Sequence, residues 1–319
     1  MRQSRNVIDA KGTRTCEAFG LGWRRIRLAR RIMVLTVGAL VVGAIASQAG
    51  AQATVSCGST ITSDTKLESD LTCRGPGLTV VSAILDLNGH SVFGGNTDTG
   101  IALQGTGATV VNGSIRHFAE GVDMSGVDPL VRNVTVADNS GHGVTSFFGR
   151  GAGEPSADIE SSTITRNGSD GIALGLVQDT TVNASVISHN GGSGIAAEFQ
   201  ADGSRYTNNR VVENDRYGIF ADTSTSRAIG NTVSHNGLGG IHFREGDGLI
   251  FAPGYTIASN RADSNGGVGI SACINDFVSG NPCAAGMIDG GRNVANHNVG
   301  GVECVNILCS RTRGLAERH

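Results

Sequence analysis

Lysine is nearly missing from this chain. After Lys11 the only one is Lys66, so the other basic side chains are arginine and histidine. Aromatic residues make up 4% of the 319 residues, and there are 5 prolines. A core of large rings is excluded, so Val, Ile, Leu and Ala must fill it. No apolar run after residue 46 approaches the roughly 20 residues that span a bilayer. Phosphate-loop, dinucleotide-binding, zinc-protease and Gly-x-Ser-x-Gly patterns are absent. So is Cys-x-x-Cys, which argues against structural zinc.

The charge is unevenly placed. Residues 1–53 carry a net +7; with −3 for the whole chain, residues 54–319 carry −10. Such a domain would repel nucleic acid and anionic membranes. It would also repel a polyuronate unless a cation bridged the two. Within residues 1–53, the basic stretch Arg24–Arg31 precedes the apolar run Ile32–Ala46 and the small residues Ala49–Ala53. That order is expected of an N-terminal extension with an export signal, placing the protein in a secreted or periplasmic location, clear of the membrane after cleavage. Six cysteines follow: Cys57, Cys73, Cys273, Cys283, Cys304 and Cys309. An even count in an exported chain implies disulfides. Clustering favours the neighbour pairs Cys57–Cys73, Cys273–Cys283 and Cys304–Cys309.

What the chain has in plenty is glycine, 48 residues, and many glycines precede Ile or Val at a regular interval. The pairs start at Gly100, Gly121, Gly143, Gly171, Gly194, Gly218, Gly240, Gly269 and Gly301. An asparagine stands shortly before most of them: Asn139, Asn167, Asn190, Asn214, Asn236, Asn265 and Asn298. A second often stands five residues earlier, as at Asn209, Asn231, Asn260 and Asn293. A coil of about 22 residues accommodates three short strands and three turns, each strand pairing with its counterpart about 4.8 Å away in the next coil. Asparagine tolerates the left-handed conformation of a sharp bend, and its amide can bond to its neighbours above and below. Glycine before the β-branched residue avoids a Cβ clash.

On these residues, for example Asn231-Thr232-Val233-Ser234-His235-Asn236 followed by Gly240-Ile241, the chain resembles the right-handed β-helix repeat proteins of the pectin-lyase-like superfamily. The resemblance covers residues 78–303. It implies an all-β, right-handed, single-stranded parallel β-helix of nine to eleven coils. Residues 54–79 are expected to cap the N-terminus, 80–309 to form the solenoid and 310–319 a disordered tail. The superfold hosts lyases, hydrolases, epimerases and non-enzymatic adhesins, so function must come from the site. Asn96-Thr97-Asp98 and Gly141-His142-Gly143 resemble two of four motifs of polygalacturonase-type glycosidases. The adjacent Asp-Asp pair and the Arg-x-Lys of those enzymes are missing here, which argues against that hydrolysis.

Strand alternation after each Gly-Ile pair assigns inward and outward columns. The expected inward column is Leu103, Met124, Ser146, Leu174, Ala197, Ala221, Phe243, Ala272 and Cys304. Outward, Glu198, Asp222 and Arg244 fall on successive coils, with Phe220 and His242 beside them and Cys273 next in the row. Glu198 and Asp222 would repel unless a cation were shared, and calcium is the one candidate cofactor. Glu198, Asp222, Arg244 and His242 are the catalytic candidates, with Phe220 as a sugar-stacking platform. The competing reading is a solvated charged ladder in which Arg244 pairs with Asp222. The same choice governs function. The first reading is an exported monomeric scaffold binding a polysaccharide or cell-surface glycan without catalysis. The second is a lyase or epimerase acting on an acidic glycan, and the third is a purely structural surface protein. Whether the protein is an enzyme stays open at this level.

Overall fold

The computed structural model describes residues 54–147, 156–198, 201–222, 225–244, 256–274 and 288–310, without the side chains of 273 and 274. Residues 1–53, where an export signal is expected, Cys283 and residues 311–319 lie outside these, so the Cys273–Cys283 pairing does too.

The described chain winds in coils of short strands, and every pairing between coils is parallel. One face is an 11-stranded sheet running from Thr60–Ile61 to Cys304–Val305 in sequence order. Two further sheets form the rest of the wall. They are continuous in two coils, where Thr109–Arg116 and Leu130–Ala137 each contribute to both. Parallel neighbours joined by crossovers take the right-handed sense, so the architecture is a right-handed parallel β-helix. Residues 60–72 supply three strands that pair with the next coil, so this segment is wound like the rest. Disulfides join Cys57 to Cys73 and Cys304 to Cys309 at its two ends.

The interior follows the expected column. Leu103, Met124, Ser146, Leu174, Ala197, Ala221, Phe243 and Ala272 are all buried, and the Ser146 hydroxyl donates to the Met124 carbonyl at 3.1 Å. Cys304 departs from that column. It pairs with Ile270, two positions earlier, so Gly301-Val302 is not the ninth anchor. Residues 299–301 instead form a short 3-10 turn, and Gly300 and Gly301 both take positive φ, which carries the chain to Cys304.

Two ladders of buried amides line the bends. In the first, the Nδ2 of Asn139, Asn167, Asn190, Asn214, Asn236 and Asn265 each donates to the Oδ1 of the next, ending at Asn298, over 2.8–3.0 Å. The last amide, of Asn298, donates to the Glu303 carboxylate at 2.6 Å. The second runs through Asn209, Asn231, Asn260 and Asn293. The bend conformation itself belongs to the residue before each ladder asparagine. Asp138, Arg166, His189, Glu213, His235, Ser264 and His297 have φ between 54° and 59°. This corrects the sequence expectation: the asparagine is required for its amide, and the preceding residue turns the chain. The histidines His189, His235 and His297 are thus turn residues on the outside. The anchor glycines face inward. A Cβ on Gly171 would lie 2.7 Å from Asn190 Nδ2 and from the Gly194 carbonyl, so glycine lets the ladder and the next coil close up.

Candidate functional site

The outward face of the 11-stranded sheet carries the site. The strands Tyr217–Asp222 and Gly239–Arg244 pair with Phe220 opposite His242 and Asp222 opposite Arg244. Side chains in one column therefore stack at the coil spacing. The Phe220 and His242 rings lie 5.6 Å apart and within 7° of parallel. Tyr217 joins them, 5.5 Å from Phe220 and 4.9 Å from His242. It has room because its partner across the sheet is Gly239, where a Cβ would sit 3.2 Å from the Tyr217 ring. His242 Nδ1 is 2.7 Å from the Ser271 hydroxyl, which fixes the imidazole plane.

Arg244 and Asp222 form the polar edge of this stack. The guanidinium donates to Asp222 Oδ2 at 2.5 Å and lies 5.6 Å from the Phe220 ring centre. The pair is sheltered: 12% of the Asp222 side chain and 26% of the Arg244 side chain are exposed. The second Asp222 oxygen, Oδ1, is buried and has no hydrogen-bond partner. Beside the stack is an open depression of about 40 Å³, lined by Asp170, Ser193, Ala196, Glu198, Arg216, Tyr217 and Phe220. It is far smaller than the 300–1,000 Å³ clefts that engulf small ligands.

The structure thus brings Phe220, His242, Asp222 and Arg244 into one cluster and sets Glu198 in the adjoining depression with Phe220. Cys273 does not continue the row: the backbone of Arg244 pairs with Ile274 across a register shift. A calcium ion between Glu198 and Asp222 does not fit. Calcium takes six to eight oxygens, the described residues hold no group of three or more Asp, Glu, His or Cys placed for a metal, and Arg244 neutralises Asp222.

Tyr217 and Arg216 are the residues of this cluster that simple alternation misses. The burial pattern of Tyr217–Asp222 has two consecutive inward positions, Gly218 and Ile219. That break in the two-residue period sends the residue before each anchor glycine outward. The same column holds Glu120, His142, Asp170 and Ser193 farther along the sheet. Burial raises the Glu120 and Asp123 carboxyls above their ordinary range, and one Glu120 oxygen is buried without a partner. The Asp170 amide donates to His142 Nδ1 at 3.2 Å.

A family model described as "Right handed beta helix region" matches residues 120–281. No curated protein matches the chain. Among solved structures, the A-module of the mannuronan C-5 epimerase AlgE4 from Azotobacter vinelandii is 12% identical, with 67% of this chain and 73% of that one covered and a TM-score of 0.42. A double mutant of the periplasmic alginate epimerase AlgG is 13% identical, with 79% and 74% covered and a TM-score of 0.44. The Dettilon tailspike protein is 15% identical, with 77% and 60% covered and a TM-score of 0.43. At these identities the likeness concerns the fold alone.

Proposed function

The chain belongs to the right-handed β-helix family, and on that premise we propose that it is an exported scaffold whose 11-stranded face binds a polysaccharide without transforming it. The observation that carries this reading is the half-buried stack of Tyr217, Phe220 and His242 beside an open depression. Rings held flat by their neighbours present apolar faces at little entropic cost, and the apolar face of a sugar ring packs on such a surface. Asp222, Arg244, Glu198 and Arg216 rim the stack and supply donors and acceptors for hydroxyl groups.

Catalysis fits this geometry less well. Lyase or epimerase chemistry on a uronate needs a group that removes a proton, and of the outward candidates Arg244 is tied to Asp222. Export is supported by the two disulfides, which persist in oxidising compartments.

The test is a glycan array probed with the exported protein and with Phe220→Ala. Loss of the stacking face should weaken binding about tenfold, equivalent to ~1.4 kcal/mol. Ile84→Ala, at an exposed residue of a different sheet, should bind as the parent does. Absence of any glycan ligand, or a Phe220→Ala variant that binds equally well, overturns the reading.

A further inference from the structure

We propose that the glycan bound at this face carries free amino groups, and that the face discriminates against uronates. The inference rests on the polysaccharide-binding reading above and adds its charge class.

The argument is the balance of charge along the face. Among the described residues Glu120, Asp123, Glu198 and Asp222 stand outward on strands of the 11-stranded sheet and Asp170 just before one, against Arg244 on a strand and Arg216 just before one. Asp222 and Arg244 cancel each other through their ion pair. Among the described residues four carboxylates then remain against one arginine, with His142 3.6 Å from Asp170. From Glu120 to Asp222 is four coil steps, roughly 19 Å at 4.8 Å per step, so the acids form a stripe along the path a glycan chain would take. Asp170 and Glu198 stand on adjacent coils, closer than the screening length of about 8 Å at physiological salt, so these two reinforce one another. No lysine lies on this face, and the whole of residues 54–319 carries −10.

The depression concentrates the same chemistry. Asp170 and Glu198 line it together with the Tyr217 and Phe220 rings. Carboxylates and aromatic faces both attract an ammonium group, the first by charge and the second through the ring quadrupole. A uronate carboxylate in the same place would meet two like charges and only Arg216 in opposition. Burial also holds Glu120 and Asp123 above their ordinary carboxyl range, Glu120 despite the opposing effect of His142 beside it.

The experiment measures affinity of the exported protein for three oligosaccharides of equal length: a glucosamine oligomer with free amines, its N-acetylated counterpart and an oligogalacturonate. The free amine should bind at least tenfold more tightly than the N-acetyl form, with the uronate weakest. Added salt should weaken the amine selectively. Glu198→Gln combined with Asp170→Asn should collapse the amine to N-acetyl ratio towards one. Equal binding of amine and N-acetyl forms, or preference for the uronate, overturns the inference; if that binding still depends on Phe220, the polysaccharide-binding reading survives. Failure of all three glycans to bind, with none retained on the array, overturns both.

Discussion

Replacing Asn190 by leucine should cost far more than the same change at Asn139, although both are buried members of one ladder. Asn190 is an interior rung. Its Oδ1 accepts the Asn167 amide N–H at 3.1 Å and the Asn167 side-chain amide at 2.9 Å. Its Nδ2 donates to Asn214 Oδ1 at 2.9 Å and to the Ile164 carbonyl at 3.3 Å. Leucine removes all four bonds. Asn214 Oδ1 keeps the Asn190 backbone N–H, and the Asn167 amide keeps the Val136 carbonyl, but the Asn167 backbone N–H is orphaned. Asn139 is the first rung. It loses one bond from the Phe118 N–H and one to Asn167 Oδ1. Each substitution therefore orphans one buried N–H, at about 1–3 kcal/mol, and each gains similar leucine burial. The difference is two further hydrogen bonds, so Asn190→Leu should be about 2 kcal/mol less stable than Asn139→Leu. Urea denaturation followed by far-ultraviolet circular dichroism measures this, provided the slopes agree between variants. A gap under about 0.5 kcal/mol, or one of opposite sign, would show that the rungs do not act through their hydrogen bonds.

Other outcomes follow from the same geometry. Gly171→Ala places a Cβ 2.7 Å from Asn190 Nδ2 and should lower stability by about 1–3 kcal/mol, whereas Gly95→Ala, with nothing within 4 Å, should be nearly neutral in the same titration. Removing the Cys57–Cys73 bridge, which closes a 16-residue separation, should cost about 3 kcal/mol, read as a lower thermal midpoint of the double alanine variant. Asp138 is held below its usual carboxyl range, first by the hydrogen bond from Arg166 and also by Arg116. Its contribution should be fully present above the ordinary aspartate value near 3.8 and fade as pH falls below it, so Asp138→Asn should flatten the acid limb of the stability curve. Glu120 is shifted the other way by desolvation, so its ionisation opposes folding as pH rises through its raised value; Glu120→Gln should stabilise the protein at neutral pH in the same denaturation series.

The solenoid was legible because its constraints recur. Each coil must place a small residue where the next coil closes in and an amide where the bend is buried, so Gly and Asn mark the period directly. The last coil was misread because Gly301-Val302 repeats the letters of the anchor while Gly300 and Gly301 serve a turn. The outward row Phe220, His242, Asp222 and Arg244 could be read from alternation, since pairing at equal register is local. Tyr217 was hidden by the double inward step at Gly218 and Ile219, and its space depends on Gly239 in a different coil. The pairing of Arg244 with Asp222 was one of two outcomes the spacing permitted. Choosing between them needs side-chain rotamers, which no one-dimensional pattern carries.

The amide ladder also has a sense of direction. Every side-chain amide from Asn139 to Asn265 gives its hydrogen toward the C-terminal neighbour and offers its oxygen toward the N-terminal one. Aligned bond dipoles of this kind add and polarise one another. The protein therefore contains a wire of side-chain dipoles, about seven amides long, whose positive terminus falls at Asn298. There the Glu303 carboxylate accepts from the last amide and grounds it, the relation that an anion bears to the N-terminus of an α-helix, recreated in an all-β molecule by side-chain amides.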